Sequence, residues 1–188
     1  MDDIVRQAMA KWPNVPHCYG WLGLDARGNW YMRDDATQAA GRFNSGAANS
    51  KGSRLQHKKL IEFIERNYQS DEYGQWYFQN GPQRVFVELE ATPWIWRVDE
   101  RGEVASHTNQ NVRYEQCFVD EHGWAYLLTD KGFGLIHSQD VHQAANAIER
   151  GDWTTQAVTK GSLPTEHKYC TSPAENQIKN GPLMDPSK

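Results

Sequence analysis

A chain of 188 residues with a net charge of −4 has the length of one domain, and its charge gives no ground for a nucleic-acid or anionic-membrane partner. Leu, Ile, Val and Phe make up about 18% of it, a level at which disorder becomes a concern. Eight Trp and eight Tyr answer that concern, because each buried ring removes on the order of 150–250 Å² from water.

The first predicted element is a short helix capped by Asp2 or Asp3, with Ile4, Val5, Ala8, Met9 and Trp12 on one apolar stripe. Pro13 stops it, and Pro16 keeps the following stretch extended. Four D-x-x-G turns then punctuate the chain: Asp25–Gly28, Asp71–Gly74, Asp99–Gly102 and Asp120–Gly123. Aspartate suits the first turn position because its carboxylate accepts a local N–H. Glycine follows where φ becomes positive, which produces a bulged hairpin. Asp25, Asp99 and Asp120 are each flanked by apolar or aromatic runs and are expected to join two strands. Asp71 follows a helix and is expected only to launch one. Asn80-Gly81 is a fifth turn, folding Trp76–Gln79 onto Arg84–Glu90. The unequal spacing of the D-x-x-G copies excludes a fixed-period repeat.

Ala36–Lys51, rich in Ala, Gly, Asn and Ser, reads as a mobile loop. Ser53 and Gln56 form a capping box for a helix with Leu60, Ile61, Ile64 and Tyr68 on one face. A last helix runs from Ser138 or Gln139 to Arg150, with Val141, Ala144, Ala145 and Ile148 inward and Gly151 as its stop. Past Trp153 the apolar period fades. The expected organisation is one globular domain over 1–158 and a loosely docked or disordered tail over 159–188. The expected fold is α+β: an antiparallel β-meander of about 8–9 strands with two helices plus a short N-terminal helix.

No apolar run approaches the roughly 20 residues of a membrane span, and the acidic start, Met1-Asp2-Asp3-Ile4, lacks the apolar core of a signal peptide. Cys18, Cys117 and Cys170 are odd in number and widely spaced, which fits a reducing compartment, so a soluble cytoplasmic protein is expected.

Candidate chemistry is sparse. His17 and Cys18 are the obvious base and thiol, but neighbours in an extended segment point to opposite faces and make no dyad with each other. The seven histidines fall in no ligand spacing, so no metal is expected, and no nucleotide-binding or nucleophile-elbow motif calls for a cofactor. Glu88 and Glu90 are expected on a solvated strand face, opposite Val85, Val87 and Leu89. The densest unusual segment holds Gln79, Asn80, Gln83 and Arg84, followed by Trp94, Trp96 and Arg97. If the Trp pair lies outward these residues make a binding surface; if inward, the rings are core, which the shortage of aliphatics favours. Arg84 in turn either binds an anionic group or stitches its hairpin to Glu88 or Asp99. A non-catalytic binding module with a protein or small-molecule partner is therefore the preferred reading. The alternative is an enzyme assembled from distant residues around Cys18, His17 and Arg84.

The stretches Trp12-Pro-Asn-Val-Pro-His-Cys-Tyr-Gly-Trp-Leu22, Tyr77-Phe-Gln-Asn-Gly-Pro-Gln-Arg84 and Trp94-Ile-Trp96 resemble an uncharacterised proteobacterial domain-of-unknown-function family of about this length. The resemblance spans roughly residues 1–155. It implies a bacterial source and a single domain, and it carries over no functional residue.

Overall fold

The computed structural model describes residues 1–180, so the last eight residues of the expected tail lie outside the described residues. In chain order the first half holds α1 (Asp3–Lys11), β1 (Cys18–Leu24), β2 (Trp30–Met32), α2 (Asp35–Ala39), β3 (Ser53–Arg54), α3 (Lys58–Arg66), β4 (Tyr68–Ser70), β5 (Trp76–Asn80) and β6 (Gln83–Leu89). Then come β7 (Trp94–Val98), β8 (Val104–Ser106), β9 (Asn111–Val112), β10 (Tyr114–Asp120), β11 (Ala125–Thr129) and β12 (Gly132–Ile136). The last elements are α4 (Val141–Glu149), β13 (Thr155–Val158), α5 (Leu163–Glu166) and α6 (Pro173–Asn180).

The contacts of the chain gather into two compact units. Among the described residues the first comprises Met1–Gly23, Trp30–Leu89 and 170–180; the second comprises Leu24–Asn29 and Glu90–Tyr169. The first unit carries a six-stranded sheet ordered β3-β2-β1-β6-β5-β4, and the second a seven-stranded sheet ordered β13-β10-β11-β12-β7-β8-β9. The α+β class stands, but the antiparallel meander does not. In the second sheet β12 lies parallel to β7 and β13 parallel to β10. Turn residues reveal the hairpins they close, whereas these two pairings join segments far apart in sequence and leave no local signal.

The four D-x-x-G turns share one construction. Asp25 Oδ1 accepts the N–H groups of Arg27 and Asn29, both at 2.8 Å, while Gly28 N–H returns to Asp25 C=O at 3.1 Å. Asp71, Asp99 and Asp120 repeat the pattern with the residues two and four further on. Asp71 therefore joins β4 to β5 instead of only launching a strand. A further copy escapes the D-x-x-G search: Ser106 Oγ accepts from Thr108 and Gln110, and Asn109 takes the glycine position at φ 59°. Serine offers the same acceptor, and asparagine tolerates the left-handed region.

Aromatic rings do much of the packing. Trp30, Phe43 and Phe86 are buried in the first unit, and Trp94, Trp96, Tyr126 and Phe133 in the second. Trp94 and Trp96 stack 5.6 Å apart, and Trp96 Nε1–H donates to Leu127 C=O at 3.0 Å. Helix details differ from the expectation. Ile4 and Trp12 of the predicted α1 stripe are exposed, and Val5 alone is deeply buried. Ser53 pairs in β3 with Met32 and cannot cap α3, where His57 Nδ1 accepts from Leu60 N–H instead. In α4, Ala144 and Ala147 face inward while Val141 and Ala145 are exposed. Among the described residues past 158 lie α5 and α6, and Leu163 and Tyr169 are buried. Glu88, expected in solvent, is buried: it accepts from Ser172 Oγ at 2.5 Å and Ala174 N–H at 3.0 Å. Burial raises its pKa, and those two hydrogen bonds work against the rise.

The segment read as a mobile loop carries α2 and is tied down by Arg33. This guanidinium is buried and donates to Gly20 C=O at 3.1 Å, Gly41 C=O at 2.6 Å and Ser50 C=O at 3.0 Å. Three carbonyls around one planar fork is an arrangement that a lysine cannot reproduce. Arg33→Lys is accordingly expected to lower unfolding stability in urea by about 2 kcal/mol and to speed amide hydrogen exchange across 41–50. Unchanged exchange there would show that Arg33 does not hold the segment.

The turns make a second prediction. Gly28 and Gly123 both have φ of 79°, but a Cβ on Gly28 would meet His107 Cβ at 2.7 Å, whereas one on Gly123 would meet nothing within 4 Å. Gly123→Ala should cost about 1 kcal/mol from backbone strain alone. Gly28→Ala should cost measurably more in the same thermal melts, and equal costs would mean that the His107 contact relaxes freely.

Candidate functional site

On the first unit, strands β1, β5 and β6 build an aromatic face around Arg84. β5 pairs antiparallel with β6 so that Tyr77 stands opposite Phe86 and Gln79 opposite Arg84. This register puts Arg84 diagonal to Tyr77, within reach of a long side chain, and its guanidinium lies 4.7 Å from the Tyr77 ring centroid. From β1, Tyr19 stacks on Phe86 at 4.5 Å and 6°, and His17 meets the same ring edge-on at 5.7 Å. Sequence reading missed Tyr19, although its two-residue spacing from His17 on an extended segment places both on one face.

Arg84 makes no ion pair within 4.0 Å among the described residues. The two carboxylates proposed to stitch it are engaged elsewhere: Glu88 with Ser172 and Ala174, and Asp99 with the N–H groups of its own turn. Burial lowers the His17 pKa and Arg84 lowers it further, against an opposing pull from Asp71. A neutral imidazole therefore stands near Arg84 at pH 7. Tyr19 and Tyr77 have raised pKa values, chiefly from burial, so both hydroxyls remain protonated and able to donate.

The neighbouring candidates behave differently. Gln83 Nε2 donates to Pro16 C=O at 3.0 Å, tying its turn to the approach of β1, and Asn80 is exposed. Gln79 is buried, with Nε2 bonded to Gly81 C=O at 2.9 Å, so it supports the Asn-Gly turn and presents no amide to solvent. Trp94, Trp96 and Arg97 belong to the second unit. Both rings face inward, as the scarcity of aliphatics favoured, and offer no exposed stacking platform. Arg97 is committed to Asp140 by two hydrogen bonds, Nε–Oδ2 at 2.5 Å and Nη2–Oδ1 at 3.1 Å. Burial acts to raise the Asp140 pKa, but Arg97 and the Val98 N–H outweigh it and hold the carboxyl below its ordinary value.

Cys18 lies on the side of β1 away from His17. It lines an apolar cavity of about 250 Å³ with Trp21, Leu22, Leu60, Phe78 and Val85. Burial raises its pKa, the opposite of what activates a thiol nucleophile. No three His, Cys, Asp or Glu residues are grouped to hold a metal ion among the described residues, and no helix there is long and apolar enough to cross a membrane.

No curated protein matches the chain. Two solved structures of DUF1285 family proteins are similar to it. One, from Silicibacter pomeroyi DSS-3, is 12% identical with a TM-score of 0.44, covering 78% of this chain and 84% of that one. The other, from Shewanella baltica OS155, is 15% identical with a TM-score of 0.48, covering 71% and 97%. Likeness at that level carries no functional argument. The model of a family described as "Protein of unknown function (DUF2946)" matches residues 1–181, well past the span read from the sequence motifs, and the chain belongs to that family.

Proposed function

We propose that the protein is a non-catalytic binding module whose first unit takes the anionic group of a small molecule or protein partner at Arg84. The observation that supports this most directly is a guanidinium seated on the Tyr77 ring with no carboxylate within 4.0 Å among the described residues. Stacking holds the planar fork in place and leaves its N–H groups for carboxylate or phosphate oxygens. The Tyr19 hydroxyl, on a ring stacked against Phe86 on the same face, supplies a further donor, whereas Asn80 lies on the opposite face with Cys18 and Val85. The free state of Cys18, Cys117 and Cys170 supports a reducing, cytoplasmic setting.

Arg84→Ala tests the reading. With no carboxylate to strand, the substitution should shift the melting temperature by no more than a degree or two. It should also weaken binding of inorganic phosphate or a short acidic peptide by about tenfold. A lowered melting temperature with unchanged binding would reassign Arg84 to a structural role.

The apolar setting of Cys18 also makes a prediction about the enzyme alternative. At pH 8 a thiol-specific reagent should label Cys18 at least about tenfold more slowly than a free cysteine peptide, because little thiolate forms. Labelling as fast as the peptide would revive a nucleophilic role.

A further inference from the structure

We propose that a groove on the second unit binds a small amphipathic carboxylate, its apolar part on Leu135, Ile136 and Val141 and its carboxylate on Arg27. The groove encloses about 320 Å³, at the lower end of the range of small-molecule sites. Its floor is apolar and buried: Ala125 from β11, and Leu135 and Ile136 from β12. Its walls are Trp124 and Val141, each 40% exposed, which is unusual for large apolar side chains bordering one concavity.

Charge complementarity selects the occupant. Arg27 stands at the edge of the groove, and its position is fixed because its backbone N–H is held by Asp25 Oδ1 at 2.8 Å. Its guanidinium makes no ion pair among the described residues. The ammonium of Lys160 lies 3.9 Å from the Trp124 ring centroid, which puts a second cation beside the same wall. The acidic groups nearby are already engaged, Glu90 among them, whose Oε2 accepts the Ala26 N–H at 2.9 Å. Asp25 closes its turn, Asp140 holds Arg97 and the Val98 N–H, and Glu121 accepts the Lys160 backbone N–H at 2.8 Å. An apolar cleft with unpaired donors at its rim favours a molecule with an apolar body and an anionic end over a neutral or cationic one. The site is independent of Arg84.

Isothermal titration of wild-type protein with decanoate, decan-1-ol and acetate tests the proposal. Decanoate should bind, decan-1-ol should bind at least about tenfold more weakly, and acetate should give no heat. Arg27→Ala should reduce decanoate to the affinity of the alcohol with the melting temperature unchanged. Trp124→Ala should weaken both ligands. Equal affinity for acid and alcohol, full decanoate affinity in Arg27→Ala, or no decanoate binding would each overturn the proposal. So would a wild-type dimer that Trp124→Ala dissolves, since the groove would then receive a second copy of the chain.

Discussion

One side-chain oxygen accepting two backbone N–H groups, two and four residues ahead, closes five of the hairpins of this protein, while β5–β6 and β11–β12 turn without it. Asp25, Asp71, Asp99 and Asp120 all use it, and Ser106 does the same with a hydroxyl. The bond is local, so little loop-closure entropy opposes it. It satisfies N–H groups that a tight turn would otherwise leave bare. It also fixes strand register, and a one-residue slip would turn every inward ring outward. A core relying on Trp, Tyr and Phe tolerates such slips poorly, because the rings are large and few.

Arginines sort by what surrounds their guanidinium groups. Arg33 is enclosed by three backbone carbonyls, and Arg97 is clasped by Asp140. Arg33 commits three of its N–H groups and Arg97 two to fixed acceptors, and in both the side chain acts as a fastener. Arg84 rests on a Tyr ring, and Arg27 stands at the mouth of an apolar groove. Their donors face no fixed acceptor among the described residues, which makes them the residues from which binding is argued. The same residue type therefore carries opposite roles, and local acceptor count decides between them.

Aliphatic scarcity has a structural consequence as well. Glu88, Arg33 and Asp120 are all buried, and each finds hydrogen-bond partners there. Asp120 does so twice over, accepting the N–H groups of its own turn and the Tyr126 hydroxyl at 2.8 Å. Polar stitching of this kind makes geometry more demanding than an aliphatic core would, because an unsatisfied buried group costs more than a small void.

The sequence by itself determined whatever is encoded within a few residues. The D-x-x-G and Asn-Gly turns, the opposite facing of His17 and Cys18 and the stop at Gly151 follow from steric preference and strand alternation, whereas the sequence only favoured the inward facing of Trp94 and Trp96. Tertiary structure alone decided what depends on distant partners. It paired β7 with β12 in parallel, buried Glu88 under the segment leading into α6, and set Arg97 against Asp140. It also brought Tyr19 and His17 to the Phe86 ring beside Arg84. Such contacts join residues tens of positions apart, and no local propensity distinguishes an arginine that will meet a carboxylate from one that will meet only a ring. The burial that settles the question exists only once the chain has closed around it.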